Sequence, residues 1–190
     1  MCSSDLEPKV KKLLSFIERI AKEAQHPLPD GPSPGDRRKL IVFSSYADTI
    51  GSLRDKVVEQ INGSSKSSAL AAYKDRVPEA IYGSKQGISQ KHRASVIAQF
   101  APRTAGEVDA LGNPISADKY DILFATDVLA EGVNLQQAGH MVSIDLPWNP
   151  MRLVQRHGRI DRIGSDHRKV RIGCFFPAEH LDRKSTRLNS

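Results

Sequence analysis

The chain has 190 residues, a length that suits one domain with a sizeable core. Apolar residues make up 39% and charged residues 26%, a balance typical of a globular protein in water. No apolar run is long enough to span a membrane, and the opening residues do not form a signal peptide. The two cysteines match no metal-site or disulfide spacing. We therefore expect a cytoplasmic protein with no membrane partner.

The net charge of +6 is unevenly distributed. Between Trp148 and Arg171 the chain carries seven Lys and Arg residues against two Asp residues. A run of this kind forms either a solvated basic face or a surface for a polyanion or a nucleotide.

The first 38 residues are predicted to stand apart from the main domain. Residues 8–25 place apolar side chains at helical spacing, whereas residues 27–38 hold four prolines and are interpreted as a linker. Neither residues 1–6 nor the polar end shows a core-facing pattern, and both are interpreted as foreign to the native domain. The predicted organisation is a leading segment at 1–26, a linker at 27–38, a compact domain at 39–182 and a tail at 183–190.

From Lys39 onward, short apolar runs alternate with helical patterns. Ser89 is the expected N-cap of one helix, and residues 102–119 are expected to form a surface insertion. The alternation predicts an α/β fold with a doubly wound, mainly parallel sheet, in which ligands gather at the carboxyl ends of the strands. The predicted strands are 40–43, 80–82, 121–125, 141–144 and 170–176, and the predicted helices are 46–61, 89–100 and the segment between the last two strands.

The segment QRHGRIDRIG, residues 155–164, carries the strongest chemical signal. Arg159 and Arg162 are three positions apart, so on a helix they project from one face, and Arg156 extends this stripe by a turn. Two guanidinium groups at that spacing can grip the oxygens of one phosphate. The alternative is an exposed basic helix with scattered salt bridges.

Four segments in order resemble the motifs of the C-terminal RecA-like lobe of superfamily-2 helicases and translocases. The resemblance covers roughly residues 39–177 and implies a three-layer α/β/α fold. The segments are IVFSSYADT (41–49), YGSKQGISQKHRASVIAQF (82–100), ATDVLAEGVNLQQA (125–138) and QRHGRIDRIG (155–164).

Within this superfamily, SIDLPWNPMRLVQRHGRIDRIG (143–164) is similar to SWI/SNF-type DNA translocases, which implies double-stranded DNA as the partner. The pairs Glu131-Gly132 and Asp161-Arg162 resemble the bacterial branch. DEAD-box RNA helicases usually place His where this chain has Gln155. An RNA helicase lobe and a non-enzymatic α/β nucleic-acid-binding module remain as alternatives, although keeping both motif arginines argues against the second.

The resemblance assigns roles by position. Arg162 matches the arginine finger, and Arg159 matches the second arginine at the γ-phosphate. Gln155 matches a position that couples the nucleotide to the nucleic acid. Positions that line the nucleotide pocket are matched by Gly132 and Asn134. Positions near the nucleic-acid backbone are matched by Ser44, Gly83, Thr126 and Asp127.

The parts that this chain lacks limit its expected activity. It has no G-x-x-x-x-G-K-[ST] loop and no D-E-x-H metal site. We expect these in an N-terminal RecA-like lobe of the same protein, with ATP between the lobes and Mg²⁺ held by the missing lobe, so that this chain alone is inactive. No metal site of its own is expected. Asp145 is expected to be a loop cap rather than a catalytic acid. Trp148 could stack on a base, but an anchor of the core or a hinge is the more common role and is the one expected here.

Overall fold

The computed structural model describes residues 3–26, 28–83, 89–130, 132–161 and 165–175. The predicted tail at 183–190 and the first two residues lie outside this part of the chain. The helices are α1 (Ser3–Gln25), α2 (Pro34–Arg38), α3 (Ala47–Gly63), α4 (Gln90–Phe100), α5 (Pro102–Ala105) and α6 (Pro150–His157). The strands are β1 (Leu40–Ser44), β2 (Ile122–Thr126), β3 (His140–Ser143) and β4 (Arg171–Cys174).

The four strands form one parallel sheet in the order β2-β1-β3-β4. This confirms the predicted doubly wound α/β fold. The predicted strand at 80–82 is reduced to one bridge, in which Ile81 pairs with Ala125 of β2. Its backbone still extends the sheet edge, because the Ile81 amide donates to Phe124 and its carbonyl accepts from Thr126.

Strands β1, β2 and β3 are buried on both faces, as expected for parallel strands that read as continuous apolar runs, whereas the edge strand β4 is partly exposed. One face, with Leu40 and Val42, packs against α1 and α3. The other face, with Ile41 and Phe43, packs against α4 and the segment that follows β2. The predicted three layers are therefore present, and successive residues of β1 alternate between the two cores.

The local helix signals agree with the structure. The Ser89 hydroxyl accepts a hydrogen bond from the His92 amide at 3.1 Å, which confirms the predicted N-cap of α4. Ile50, Leu53 and Val57 form the buried face of α3. No helix in the described part of the chain is long and apolar enough to cross a membrane.

Helix α1 belongs to the domain core, which corrects the prediction that the compact domain begins near Lys39. Leu13 and Ile17 are completely buried in the same cluster as the sheet residues. The Lys9 ammonium also donates to the carbonyl of Ile144, just beyond β3. The pattern identified the helix, but a helical period cannot say which surface the apolar face covers.

The predicted linker at 27–38 contains α2, so it is not continuous loop. Pro34 occupies the first turn, where a proline costs no helical hydrogen bond, and the Ser33 hydroxyl caps the Asp36 amide. The Asp36 carboxylate is buried and accepts hydrogen bonds from Gln137 at 2.8 Å and Arg103 at 2.7 Å. These contacts fix the end of the proline-rich segment to the domain.

Candidate functional site

The carboxyl ends of β1, β2 and β3 meet at one edge of the sheet because the strands are parallel. Ser44, the last residue of β1, is in register with Thr126 of β2, and Phe43 is in register with Ser143 of β3. The motif segments 41–49, 125–138 and 143–164 continue past the carboxyl ends of β1, β2 and β3, respectively. This edge is the expected position for a ligand in such a fold.

Asp145 ties the end of β3 to the end of β1. Its carboxylate accepts hydrogen bonds from the Ser44 hydroxyl at 2.5 Å and from the Ser45 amide at 3.0 Å. This agrees with the predicted loop-capping role. It also corrects the expectation for Ser44, whose hydroxyl is completely buried and occupied by Asp145, so it is not positioned to contact a nucleic-acid backbone.

Arg156 lies at the centre of this edge, whereas the sequence placed it on a stripe of arginines that either contacts a phosphate or faces solvent. Its side chain is completely buried. The guanidinium donates to the Asp127 carboxylate at 2.6 Å, to the Ser143 hydroxyl at 3.2 Å and to the Ser45 hydroxyl at 3.1 Å. It also lies 3.6 Å from a carboxylate oxygen of Asp145. One side chain of α6 therefore joins the segments that follow all three strands.

Asp127 stands between two arginines of α6. The buried Arg156 contacts one of its oxygens, and the exposed Arg152 contacts the other at 3.0 Å. Both cations offset its negative charge. Asp127 follows Thr126, which is half-buried and whose amide is bonded to Ile81. The two residues matched to the backbone-contact position are thus at the edge, but the Asp127 carboxylate is used in the domain's own ion pairs.

Strand β2 is followed by a short 3-10 helix, Asp127–Ala130, and Gly132 and Asn134 lie in the segment after that helix. Gly132 is exposed and has a φ of +75°, a conformation that favours glycine. Asn134 bonds within its own turn: its side-chain oxygen accepts from the Gln136 amide at 3.1 Å and its nitrogen donates to the Gln136 side chain at 3.0 Å. The Asn134 side chain thus stabilises its own turn, and its place in a nucleotide pocket stays a prediction.

Helix α6 ends at His157, which corrects the predicted helix through Arg159 and Arg162. Arg159 lies in the turn that follows, half-buried, with its guanidinium donating to the carbonyls of Gln155 and Val133 at 3.2 and 3.3 Å. Its own carbonyl accepts from the Leu135 amide at 3.0 Å. These bonds join the QRHGR segment to the turn at 132–136. Arg162 lies outside the described residues.

Two other predicted residues are near the same edge. Gln155 is exposed on α6, and Gly83 follows the Ile81 bridge, with nothing within 4 Å of the place where a Cβ would stand. Among the described residues, no three His, Cys, Asp or Glu side chains come together as metal ligands.

An exposed apolar patch, which the sequence reasoning missed, lies beside these residues. Trp148 is fully exposed, which corrects its expected role as an anchor of the core or a hinge. Met151 and Val154 follow it at three-residue spacing and are also exposed, whereas Arg156 is buried. Helix α6 therefore buries a charged side chain and exposes apolar ones. The spacing of Trp148, Met151 and Val154 was the signal available in the sequence.

The basic run between Trp148 and Arg171 does not form one face. Its first part lies at the carboxyl edge, where Arg152 and Arg156 pair with Asp127. Its last part lies at the opposite edge, because Arg171 is the first residue of β4. The structure therefore splits the run between two surfaces.

Comparison with known proteins identifies the class. Residues 33–164 match the helicase conserved C-terminal domain, and the chain belongs to this family. It is the C-terminal lobe of a superfamily-2 helicase, with a RecA-like fold.

Three relatives are similar in sequence to this chain. The chain is 56% identical over 48 residues, 25% of its length, to the uncharacterized ATP-dependent helicase YqhH of Bacillus subtilis. It is 31% identical over 140 residues, 73% of its length, to the mitochondrial ATP-dependent RNA helicase MRH4 of Candida albicans. It is 28% identical over 131 residues, 69% of its length, to the RNA polymerase-associated protein RapA of Pseudomonas putida. These matches span 9%, 22% and 11% of the respective relatives.

Solved structures support the fold. The C-terminal part of the Fun30 ATPase domain aligns with a TM-score of 0.56 at 16% identity, covering 86% of this chain and 39% of that one. The DEAD-box helicase Mss116, bound to single-stranded RNA and UDP-BeF, aligns with a TM-score of 0.58 at 16% identity. That alignment covers 90% of this chain and 26% of the other.

Proposed function

We propose that this chain is the C-terminal ATPase lobe of an ATP-dependent DNA translocase of the SWI/SNF type, in the bacterial branch that includes RapA. The observation that carries the proposal is the convergence of three motif segments on Arg156 at the carboxyl edge of the sheet. An arrangement that joins nucleotide-facing and nucleic-acid-facing segments in one lobe suits a motor that couples ATP hydrolysis to movement along DNA.

In this proposal ATP binds between this lobe and an N-terminal RecA-like lobe of the same protein. Phosphoryl transfer needs cations around the oxygens of the transferred group, an oriented water and a metal ion. Arg159 and Arg162 supply the first of these, and the N-terminal lobe holds Mg²⁺ and orients the water. The exposed amide of Gln155 and the backbone at Gly132 complete the nucleotide-facing side.

The nucleic-acid-facing side comprises Thr126, Gly83 and the segment after β1. Contacts from hydroxyl and backbone groups to phosphates carry no sequence information, so binding is sequence-independent. Asp127 acts indirectly: its carboxylate holds Arg152 at the exposed edge, where the guanidinium can reach a phosphate.

Arg162→Ala in the intact protein tests the proposal. An arginine finger contributes roughly 10³ to 10⁵ in rate in other nucleotide hydrolases, or about 4 to 7 kcal/mol. We expect kcat for ATP hydrolysis to collapse while ATP affinity and DNA binding change little, because the contact forms mainly in the transition state. Arg162→Lys should restore little, since an ammonium lacks the planar fork.

The matched control is Arg19→Ala, which removes an exposed arginine of α1. It should leave kcat unchanged. If Arg162→Ala and Arg19→Ala give the same small loss, Arg162 is a surface cation and the assigned role is wrong.

The isolated 190-residue chain gives a second test. It should show no ATPase activity with or without DNA, and only weak DNA binding that falls steeply with salt. DNA-stimulated turnover by this chain would refute the requirement for a second lobe.

An RNA helicase lobe is the second candidate, favoured by the 31% identity to MRH4. The ATPase activity of the intact protein distinguishes the two. Stimulation by duplex DNA but not by RNA supports the translocase, and the reverse supports the RNA helicase.

A further inference from the structure

A cavity of about 510 Å³ opens at the end of the sheet opposite the candidate site. His140 and Arg171, the first residues of β3 and β4, lie at its border. The last turns of α1 and the loop at 28–32 form the other walls. The cavity is therefore built by segments far apart in sequence, and none of the motif residues that the structure describes lines it.

Its lining combines apolar and cationic groups. A cavity of 300 to 1,000 Å³ with an apolar lining and a few placed polar groups is typical of small-molecule sites. The apolar lining residues are Ile20, Ala24, Leu28, Pro29, Pro32 and Val170.

The charged groups give the cavity a positive balance. Four cations, Arg37, Arg168, Lys169 and Arg171, line it against two carboxylates, Glu23 and Asp30. Arg171 forms an ion pair with Glu23, and the Arg37 guanidinium donates to two backbone carbonyls. Arg168 and Lys169 are exposed neighbours that form no ion pair or side-chain hydrogen bond within the described part of the chain. These two cations are available to a ligand.

The walls are held in place by specific bonds. Arg37 fastens the end of α1 by donating to the carbonyls of Glu23 and His26 at 2.5 and 2.6 Å. His167, on the opposite wall, is fixed by a 2.9 Å hydrogen bond between its Nε2 and the Gln137 carbonyl. A site whose walls are already ordered loses little conformational entropy when a ligand binds.

His140 adds a polar group without adding charge. Burial, followed by the nearby Arg171 charge, lowers the pKa of its imidazole to about 4, so the ring is neutral near pH 7. Its Nδ1 lies 3.4 Å from the Lys39 carbonyl. A neutral imidazole suits the apolar body of an organic ligand better than a further positive charge at this position would.

We propose that this cavity binds a small organic anion: an apolar body packs against the lining around Ala24, and a carboxylate, phosphate or sulfonate group contacts Arg168 and Lys169. The concave shape disfavours a nucleic-acid strand, which binds along extended grooves, and neither imidazole of the lining is open for stacking on a base, because His140 is buried and His167 is bonded to the Gln137 carbonyl. The proposal does not depend on the ATPase function, because the cavity lies at the other edge of the sheet.

Fluorescence titration of the 190-residue chain with 1-anilinonaphthalene-8-sulfonate tests this inference, since this probe has an apolar body and one sulfonate. We expect one saturable site. Octanoate should displace the probe, whereas octylammonium, with the same chain and the opposite charge, should not. Equal displacement by both, or no saturable binding, would overturn the proposal.

Two variants locate the site. Arg168→Ala/Lys169→Ala should weaken probe affinity by about tenfold, because two charge-assisted contacts are lost at a partly exposed position. Ala24→Phe should abolish binding by filling the cavity. The matched control, Lys11→Ala/Lys12→Ala, removes an adjacent exposed pair from α1 outside the cavity and should bind normally. If Ala24→Phe does not fold, the double variant decides, and unchanged affinity in it refutes the site.

Discussion

Replacing Arg156 with alanine should lower the stability of the domain more than any other single substitution on α6. The substitution leaves the Asp127 and Asp145 carboxylates without their buried cation, and their side chains are only 21% and 16% exposed. It also removes the hydrogen bonds to Ser143 and Ser45 and the guanidinium that lies over the Phe43 ring at 5.4 Å.

The magnitude follows from this burial. Removing one partner of a buried ion pair costs about 3 to 5 kcal/mol, because the remaining charge stays desolvated. For a chain of this size each kcal/mol lowers Tm by about 2 to 4 °C, so we expect a fall of roughly 6 to 20 °C. Arg156→Lys should lie between, since it keeps the charge but not the fork that reaches Asp127, Ser143 and Ser45.

Arg152→Ala is the matched control, because Arg152 pairs with the same Asp127 carboxylate but is 54% exposed. Exposed pairs contribute about 0 to 1 kcal/mol, so its Tm should fall by less than about 4 °C. Thermal and urea unfolding followed by circular dichroism would measure both variants. Equal losses for Arg156→Ala and Arg152→Ala would show that the buried network does not stabilise the domain.

Three further predictions concern parts of the fold away from that edge. The pKa of His140 is about 4 in the folded chain and 6.5 unfolded, so stability should fall by about 3 kcal/mol as pH drops from 6.5 to 4, and His140→Gln should flatten this dependence in urea unfolding. Ile17→Ala should cost about 2 to 5 kcal/mol, because Ile17 is fully buried; a loss near zero in urea unfolding would mean that α1 is detachable. Asp36→Ala removes the acceptor of the Gln137 amide nitrogen and one of the two carboxylates that pair with Arg103, and it should cost about 1 to 3 kcal/mol, measured as a lower Tm.

Much of the fold could be predicted from local signals. The apolar runs at 40–43 and 121–125 are buried on both faces of the sheet, and Ser89 caps α4 as its position before a helical pattern indicates. These predictions succeed because periodicity, β-branched residues and caps act within a few residues of the chain. The same reasoning placed the motif segments at the carboxyl ends of the strands.

The pairing of side chains across the site could not be predicted in this way. The three-residue spacing of the arginines suggested a continuous helix, yet α6 ends at His157, and its Arg156 is buried while Trp148 is exposed. Ser44 was expected to face a ligand but bonds Asp145, 101 positions away. Spacing describes which residues share a face, and it does not say whether that face meets solvent or another part of the chain.

The alternation of strands and helices, the family and the edge of the sheet where the motifs lie follow from sequence alone, because each depends on local pattern or on motif order. Three features emerge from the packed fold and not from sequence: α1 completes the core, the basic run divides between two edges, and Asp127 and Asp145 share one buried arginine. Those outcomes depend on contacts between residues tens of positions apart. Such contacts form where burying a charge is offset by partners that the packed fold brings within hydrogen-bond distance.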